Sequence, residues 1–206
     1  MCKLEFIDVN GSFRMENADR FGGLYFPLAS ELGLKSAVSP TLAGDAKTDQ
    51  NHFLLEPVSI LDLKDSRSSR NFWCVLTDGQ AWSATGQSAW QQALKFTPEE
   101  EHTTLEAGYM WQKLTRDASK IPLRSTIRSF IPYGKNVEIH RIRVENTGEQ
   151  ELSFTPVTAV PIYARSADNI RDHRHVTSLL NRIYTTEYGV HVAPAMSFDE
   201  RGHQKG

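Results

Sequence analysis

Turn-forming residues divide this chain into short runs, and their spacing restricts its fold more than any other feature. Asn10-Gly11, Asp78-Gly79 and Tyr188-Gly189 each stand between two runs rich in β-branched and aromatic residues. Glycine and asparagine accept the left-handed backbone that tight turns between antiparallel strands require. The spacing therefore predicts an all-β protein with hairpins that join residues 4–9 to 12–15 and 71–77 to 80–85, and a further turn that separates residues 182–187 from 190–196.

Three longer runs have less regular patterns, and a turn at residues 146–149 separates two of them. In residues 151–163, alternation predicts one strand whose apolar face consists of Leu152, Phe154, Val160 and Ile162. Both faces of residues 104–114 carry apolar side chains, so we expect a single strand covered on both sides. Along residues 137–144 the apolar phase reverses, which predicts a β-bulge because one extra residue exchanges the two faces.

One stretch near the C-terminal end fits two kinds of structure. Residues 175–183 contain apolar side chains at helical spacing, namely Val176, Leu179, Leu180 and Ile183. The strand-forming run Tyr184-Thr185-Thr186 follows directly. Helix and strand are therefore both open for this stretch.

Composition narrows the class of protein. The 206 residues include 23 basic and 25 acidic ones, for a net charge of −2, which argues against a nucleic-acid binder. A length near 200 residues is ordinary for one β-sandwich. The two cysteines, Cys2 and Cys74, are too few for a disulfide framework or a zinc motif, and we expect Cys74 to be a buried free thiol. With neither an apolar stretch of membrane length nor a secretory signal, a cytoplasmic location is expected.

The densest polar cluster lies in residues 165–175, which hold three arginines, two aspartates and two histidines. A solvated loop with local ion pairs is one interpretation, and such pairs add little stability. The other interpretation is a site for a polar substrate or phosphate, because guanidinium groups bind phosphate oxygens bidentately and Asp and His bind sugar hydroxyls. The candidate substrate-binding residues are Arg165, Asp168, Arg171, Asp172, His173 and Arg174.

Aromatic and acidic residues supply weaker signals. The four tryptophans suit either a core or a stacking platform for sugar rings; they are Trp73, Trp82, Trp90 and Trp111. Residues 65–73 suit a capped turn or a polar rim. Glycosidic chemistry needs two carboxylates on opposite sides of the bond, or one carboxylate and an external nucleophile. Asp168 with Asp172, and Asp199 with Glu200, are too close in sequence to act as such a pair.

Several runs resemble one known family. They are residues 11–17 (Gly-Ser-Phe-Arg-Met-Glu-Asn), 24–29, 39–45, 66–73, 81–86, 162–174, 183–189 and 197–202. Together they resemble the N-terminal domain of glycoside hydrolase family 94, formerly glycosyltransferase family 36. The resemblance is strongest to the branch that holds the β-1,2-oligoglucan phosphorylases and extends over nearly the whole chain.

The resemblance implies a fold and an activity. Family members combine a large two-sheet antiparallel β-sandwich, of the super-sandwich or galactose-mutarotase-like type, with a helical linker and an (α/α)6 barrel. Inorganic phosphate attacks the anomeric carbon and forms α-glucose 1-phosphate with inversion, while an aspartate of the barrel, as general acid, protonates the departing saccharide. The resemblance also implies a homodimer, an oligosaccharide substrate and no cofactor.

The chain offers no position for the barrel or its general acid, so we expect residues 1–206 to be an N-terminal sandwich domain, truncated before the linker and without catalysis of its own. The resemblance also implies that the Arg-rich run is directed toward the sugar-phosphate site of the barrel, or forms ion pairs that position those contacts. Arg171, Asp172 and Arg174 are the residues most favoured for this role. The alternatives are a stand-alone sugar-binding module, which needs an exposed aromatic platform, and an assembly or dimerisation domain.

Overall fold

The computed structural model describes residues 3–49, 52–59, 61, 63, 68–165 and 181–194. Nearly all of the regular structure in these residues is β-strand. In chain order the strands are β1 (Leu4–Phe6), β2 (Phe13–Glu16), β3 (Phe26–Ala29), β4 (Lys35–Val38), β5 (Ala46–Lys47), β6 (Phe53–Leu55), β7 (Asn71–Leu76), β8 (Ala81–Ser83), β9 (His102–Gly108), β10 (Trp111–Asp117), β11 (Leu123–Phe130), β12 (Ile139–Asn146), β13 (Phe154–Ala159), β14 (Ile162–Arg165), β15 (Asn181–Thr186) and β16 (Gly189–Pro194). One turn of 3-10 helix (Ala18–Arg20) and one short helix, α1 (Ala89–Leu94), interrupt them.

The strands form three antiparallel sheets and one hairpin. The six-stranded sheet has the order β1-β2-β9-β10-β11-β12, the five-stranded sheet β14-β6-β5-β4-β3, and the three-stranded sheet β13-β7-β8. Strands β15 and β16 pair with each other, and β16 lies against β14. The predicted fold class, an all-β antiparallel sandwich, is confirmed.

The main core lies between the six-stranded sheet and the two smaller sheets. Strand β11 shows why, since its residues are buried and accessible in strict alternation, with Leu123, Ser125, Ile127 and Ser129 facing inward. The core cluster takes buried side chains from all three sheets, among them Leu28, Val38, Cys74, Trp82, Leu123 and Ile127. Each fully buried Leu or Ile stabilises the fold by about 1.5–3 kcal/mol.

A buried ion pair ties the layers together. Arg70 is only 3% exposed, and its Nη2 lies 2.8 Å from Oε1 of Glu138, which precedes β12. Its Nη1 donates to the carbonyl of Gly44 at 3.0 Å. Burial alone would raise the pKa of Glu138, but the neighbouring His140 and the charge of Arg70 lower it to about 2. The pair therefore joins β4, β7 and β12 through one guanidinium.

Two predicted hairpins are confirmed, and the third turn also closes a hairpin. Strands β1 and β2, β7 and β8, and β15 and β16 pair in antiparallel register around the predicted turns. Gly11 and Gly79 have φ angles of 86° and 84°, the left-handed backbone that favours glycine. Cys74 is fully buried as predicted, and burial raises the pKa of its thiol to about 11.

Three predictions for the longer runs are wrong. Residues 104–114 are a hairpin of β9 and β10, whose turn has Met110 at a φ of 59°. The reversal in β12 needs no bulge, because its pairing with β11 is regular and Ile139 lies on the outer face opposite Phe130. Residues 151–163 change from the three-stranded to the five-stranded sheet near Pro161, so Val160 and Ile162 are exposed.

Helix α1 has no counterpart among the predictions. It is one short segment with an N-cap at Ser88, whose hydroxyl accepts a hydrogen bond from the backbone N–H of Gln91 at 3.4 Å. Gln91 is buried and donates to the carbonyl of Ser83 at 3.0 Å, which fixes the helix against the end of β8. A segment of six residues is too short for apolar periodicity to identify it.

Candidate functional site

The predicted Arg-rich cluster begins at the last residue of β14. Arg165 has a defined backbone position, paired with Phe53 of β6. The other candidate residues lie outside the described part of the chain, namely Asp168, Arg171, Asp172, His173 and Arg174. The structure therefore places the first residue of the cluster, at the end of β14, and the residues around it.

Positive charges share one register position across this sheet. Lys35 of β4 pairs with Lys47 of β5, Lys47 pairs with Phe53, and Phe53 pairs with Arg165. We call Lys35, Lys47, Phe53 and Arg165 the cationic row. The Lys47 Nζ lies 5.3 Å from the centre of the Phe53 ring, within cation–π distance.

The two lysines of the cationic row oppose each other without a neutralising acid. Among the described residues, no carboxylate oxygen lies within 4.0 Å of the Nζ of Lys35 or Lys47. Like charges directly opposite each other destabilise a pair of strands. A bound anion would reduce this repulsion, so the cationic row has the charge that an oxyanion site needs.

A histidine with a fixed ring adjoins the cationic row. His52 directly precedes Phe53, and its Nδ1 lies 2.7 Å from Oδ2 of Asp49. The backbone N–H of His52 also donates to Asp49 Oδ1 at 3.0 Å. A carboxylate on Nδ1 fixes the ring and leaves Nε2 as the nitrogen for a ligand. Sequence reasoning missed Lys35 and Lys47 because only strand register aligns them with Arg165. It missed His52 because the pairing of Phe53 with Arg165 is what brings this histidine near the cationic row.

The tryptophans are mainly structural. Trp82 is fully buried, and its Nε1 donates to Glu101 Oε1 at 2.8 Å. Trp90 packs against the main core, and its Nε1 donates to the carbonyl of Ala81 at 2.8 Å. Trp73 and Trp111 are half-buried. The exposed platform that a sugar-binding module needs is therefore not formed by Trp82.

A second polar group surrounds Arg116 in the interior. Arg116 lies 2.8 Å from Asp19 and 3.3 Å from Glu101, and all three side chains are largely buried. Burial alone would raise the pKa of Asp19, but Arg116 and Thr103 hold it below its usual range. The adjoining cavity measures about 20 Å³, room for about one water molecule. Through these contacts Arg116 of β10 joins the 3-10 turn and the residue before β9, so we assign the network to the fold.

Residues 68–73, the described part of the run 65–73, contain a buried arginine. The polar-rim alternative would place Arg70 in solvent, but it is buried against Glu138. Ser68 is also buried, and its hydroxyl donates to the carbonyl of Glu56 at 2.6 Å. Local sequence does not indicate that Arg70 is buried, because its partner Glu138 is 68 positions away.

The described residues form neither a metal-ligand cluster nor a membrane-spanning helix. Within residues 3–49, 52–59, 61, 63, 68–165 and 181–194, no group of three His, Cys, Asp or Glu side chains converges as metal ligands would. In the same part of the chain, no helix has the length and apolar character to cross a membrane.

Comparison with known proteins does not assign the chain to a family. No family model matches the chain. No curated protein matches it either. The function proposed below is therefore inferred from the chain's own residues and geometry and from the resemblance of its sequence runs.

Proposed function

We propose that this chain is the N-terminal β-sandwich domain of an inverting glycoside phosphorylase similar to those of family 94, and that it binds the phosphate-bearing ligand without catalysing the reaction. The resemblance of eight sequence runs supports the family, and the antiparallel sandwich agrees with the fold that it implies. The substrate would be a β-glucoside, with β-1,2-oligoglucan favoured by the branch, and inorganic phosphate would be the co-substrate.

The cationic row is the observation that carries this proposal. It aligns two lysines with the position of Arg165, the first residue of the Arg-rich run. Residues 165–174 add two more arginines in sequence, Arg171 and Arg174. Lysine and arginine bind phosphate oxygens through charge-assisted hydrogen bonds. A phosphate monoester such as α-glucose 1-phosphate fits this chemistry and leaves sugar hydroxyls for His52, Asp168 and His173.

The ion pairs of four carboxylates agree with the proposal that this chain is not catalytic. Asp19, Glu101 and Glu138 are buried and bound by Arg116 or Arg70. Asp49 binds His52. A glycosidic general acid must be accessible to the leaving-group oxygen. These four carboxylates are engaged in ion pairs, and the resemblance places the general acid on the barrel, so we assign proton transfer to another part of the enzyme.

An assembly role is the second candidate, and one observation favours it. Apolar side chains are exposed along the last four described strands and the connection between β13 and β14: Val157, Val160, Ile162, Ile183, Tyr184 and Val190. Exposed apolar groups of this extent mark surfaces that bind another protein surface. This role is compatible with phosphate binding, because the cationic row and the apolar side chains involve different residues.

The first experiment measures binding of α-glucose 1-phosphate to the chain by isothermal titration calorimetry. We expect Lys47→Met to weaken binding by about tenfold, in the range of one lost charge-assisted hydrogen bond. Lys135→Met is the matched control, because Lys135 is an exposed lysine in the turn after β11 and should leave the affinity unchanged. Equal affinity of Lys47→Met and the unaltered chain would exclude the cationic row.

The same preparation tests for catalysis. With β-1,2-glucooligosaccharide and phosphate, we expect no release of glucose 1-phosphate. Release of product by these 206 residues would contradict the non-catalytic assignment. In a complete phosphorylase that contains this domain, Arg171→Ala or Arg174→Ala should lower kcat/KM. Unchanged kinetics together with an unchanged Tm would exclude both substrate contact and interdomain positioning for these two arginines.

A further inference from the structure

Strand register lines up six charged residues across the outer face of the six-stranded sheet. Each residue pairs with the next on the neighbouring strand, in the order Glu5, Arg14, Glu106, Lys113, Arg128 and Arg141. We call these residues the charge ladder. The signs alternate over the first four strands, β1, β2, β9 and β10, and stay positive over the remaining two, β11 and β12.

The alternating part of the charge ladder is neutralised within the chain. Arg14 lies 3.2 Å from Glu5 and 2.8 Å from Glu106. Lys113 also forms an ion pair with Glu106. Burial alone would raise the pKa of Glu106, but Lys113 and Arg14 hold it below its usual range. Opposite charges on directly opposed strands stabilise such a sheet.

A second register position on the same face of the six-stranded sheet also places opposite charges on paired strands. Its residues are His102, Asp117, Arg124 and Glu145, each paired with the next. Arg124 Nε lies 2.5 Å from Asp117 Oδ1. Glu145 also contributes to raising the pKa of Arg124. This face therefore opposes unlike charges along a second register position.

Arg128 and Arg141 break that rule. They lie directly opposite each other on β11 and β12, and Arg128 is flanked on its other side by Lys113. Among the described residues, no carboxylate oxygen lies within 4.0 Å of a guanidinium nitrogen of Arg128 or Arg141. An acid at this end of the charge ladder would have to come from outside the described chain.

Two aromatic rings fix the position of Arg128. Its Cζ lies 5.5 Å from the centre of the Trp111 ring and 5.9 Å from that of Phe130. The Trp111 ring itself lies over Gly108, where an added Cβ would stand 2.6 Å from Trp111 Nε1. A guanidinium held by stacking loses little conformational entropy when it binds a carboxylate. Tyr109 is exposed at the adjoining turn.

We propose that Arg128 and Arg141 dock an acidic segment of a partner protein, whose carboxylates complete the alternation of the charge ladder. The outer face of a broad sheet favours a protein partner, because small-molecule sites are concave. Trp, Tyr and Arg are also the residues most enriched among those that dominate protein interfaces. The surface is on a different sheet from the cationic row and is independent of the phosphate proposal.

The test uses hexaglutamate as the probe and follows the Trp111 indole N–H by NMR. We expect hexaglutamate to shift this signal at low salt and the shift to disappear at high salt. Arg141→Gln should weaken binding at least about tenfold, since it removes one charge-assisted contact. Arg143→Gln is the matched control, because Arg143 lies on the same strand and face and is already paired with Glu145 at 2.6 Å.

Arg141→Glu gives a second readout. It supplies the missing acid opposite Arg128, so we expect it to abolish hexaglutamate binding while raising Tm by about 1–3 °C. Loss of binding together with a lower Tm in this variant would contradict the proposal. Absence of any hexaglutamate shift at low salt would overturn it. If inorganic phosphate shifted the Trp111 signal as hexaglutamate does, and Arg141→Gln weakened that binding equally, the proposal of an acidic protein segment would be overturned. The ligand would then be a small oxyanion.

Discussion

Arg70 shows, at the scale of a single residue, how a charged side chain is accommodated inside the sandwich. Its guanidinium donates to two backbone carbonyls, the Ser36 hydroxyl and Glu138. Removing one partner of such a pair would leave a buried charge uncompensated, at a cost of about 3–5 kcal/mol. The pair therefore fixes the conformation of three strands and makes that conformation sensitive to acid.

We expect Glu138 to make stability depend on pH below neutrality. Its pKa falls from the ordinary 4.5 to about 2 on folding, so the native state binds fewer protons than the unfolded state in this interval. Its contribution is present above the unfolded pKa and is lost as pH falls through the folded one. Urea unfolding measured from pH 6 to about pH 2 should show a smaller loss of free energy for Glu138→Gln than for the unaltered chain.

Glu149→Gln is the control for this measurement, because Glu149 is exposed in the turn after β12. It should follow the unaltered chain at every pH. Parallel pH curves for Glu138→Gln and the unaltered chain would show that Glu138 does not titrate with a lowered pKa in the native state.

At the scale of elements, the turn between β4 and β5 depends on one glycine. Gly44 has a φ of 124°, and a Cβ there would clash with the carbonyl oxygen of Ala37. The Gly44 carbonyl also accepts a hydrogen bond from Arg70. The turn therefore needs both the left-handed backbone and the absence of a side chain, and it orients one strand of the cationic row.

Comparing Gly44→Ala with Gly79→Ala separates the need for a left-handed backbone from the need for space where a Cβ would lie. Gly79 also has a left-handed backbone, but a Cβ there has no neighbour within 4 Å. We expect Gly79→Ala to cost about 1–2 kcal/mol for the backbone alone, and Gly44→Ala about 1–3 kcal/mol more for the clash. Urea midpoints for the two variants provide the comparison. Equal destabilisation would show that the turn relaxes around the added methyl group.

The elements also show which features a sequence can predict. The hairpins at Gly11 and Gly79 were predictable because each turn needs a backbone that glycine favours. The turn between β9 and β10 was not, because its left-handed residue is Met110. The candidate site follows the same division. A run of nearby charges predicts a site in residues 165–174, whereas Lys35 and Lys47 are aligned with Arg165 only through pairing of strands that are distant in sequence.

At the scale of the whole molecule, apolar side chains are well buried between the three sheets but exposed on the hairpin of β15 and β16. The main core closes between the three sheets, while the hairpin of β15 and β16 has apolar residues in solvent. Ile183 pairs with Val192, and Val190 lies diagonally opposite Ile183 on the same face. Ile183 and Val190 are 62% and 65% exposed, which is more than a strand normally leaves uncovered.

We expect this apolar face to make the isolated chain self-associate. Replacing Ile183 and Val190 by Thr should shift the chain toward monomer in size-exclusion chromatography, because Thr keeps the β-branched shape and removes apolar area. Arg182→Thr, on the opposite face of the hairpin, is the control and should leave the elution unchanged. A monodisperse monomer for the unaltered chain at high concentration would contradict this prediction.

The contacts between the 131–138 loop and the early strands have a consequence for synthesis of the chain. Leu34 donates to Asn136, and Ser36 donates to Glu138, each across 102 positions. At about 5–20 residues per second on the ribosome, the first partner waits roughly 5–20 s for the second. Until β10 and β11 emerge, the inner faces of β3 and β4 lack their opposing strands, and Arg70 has no acid until residue 138 emerges. We therefore expect the nascent amino-terminal half to be held by chaperones until residue 138 has emerged.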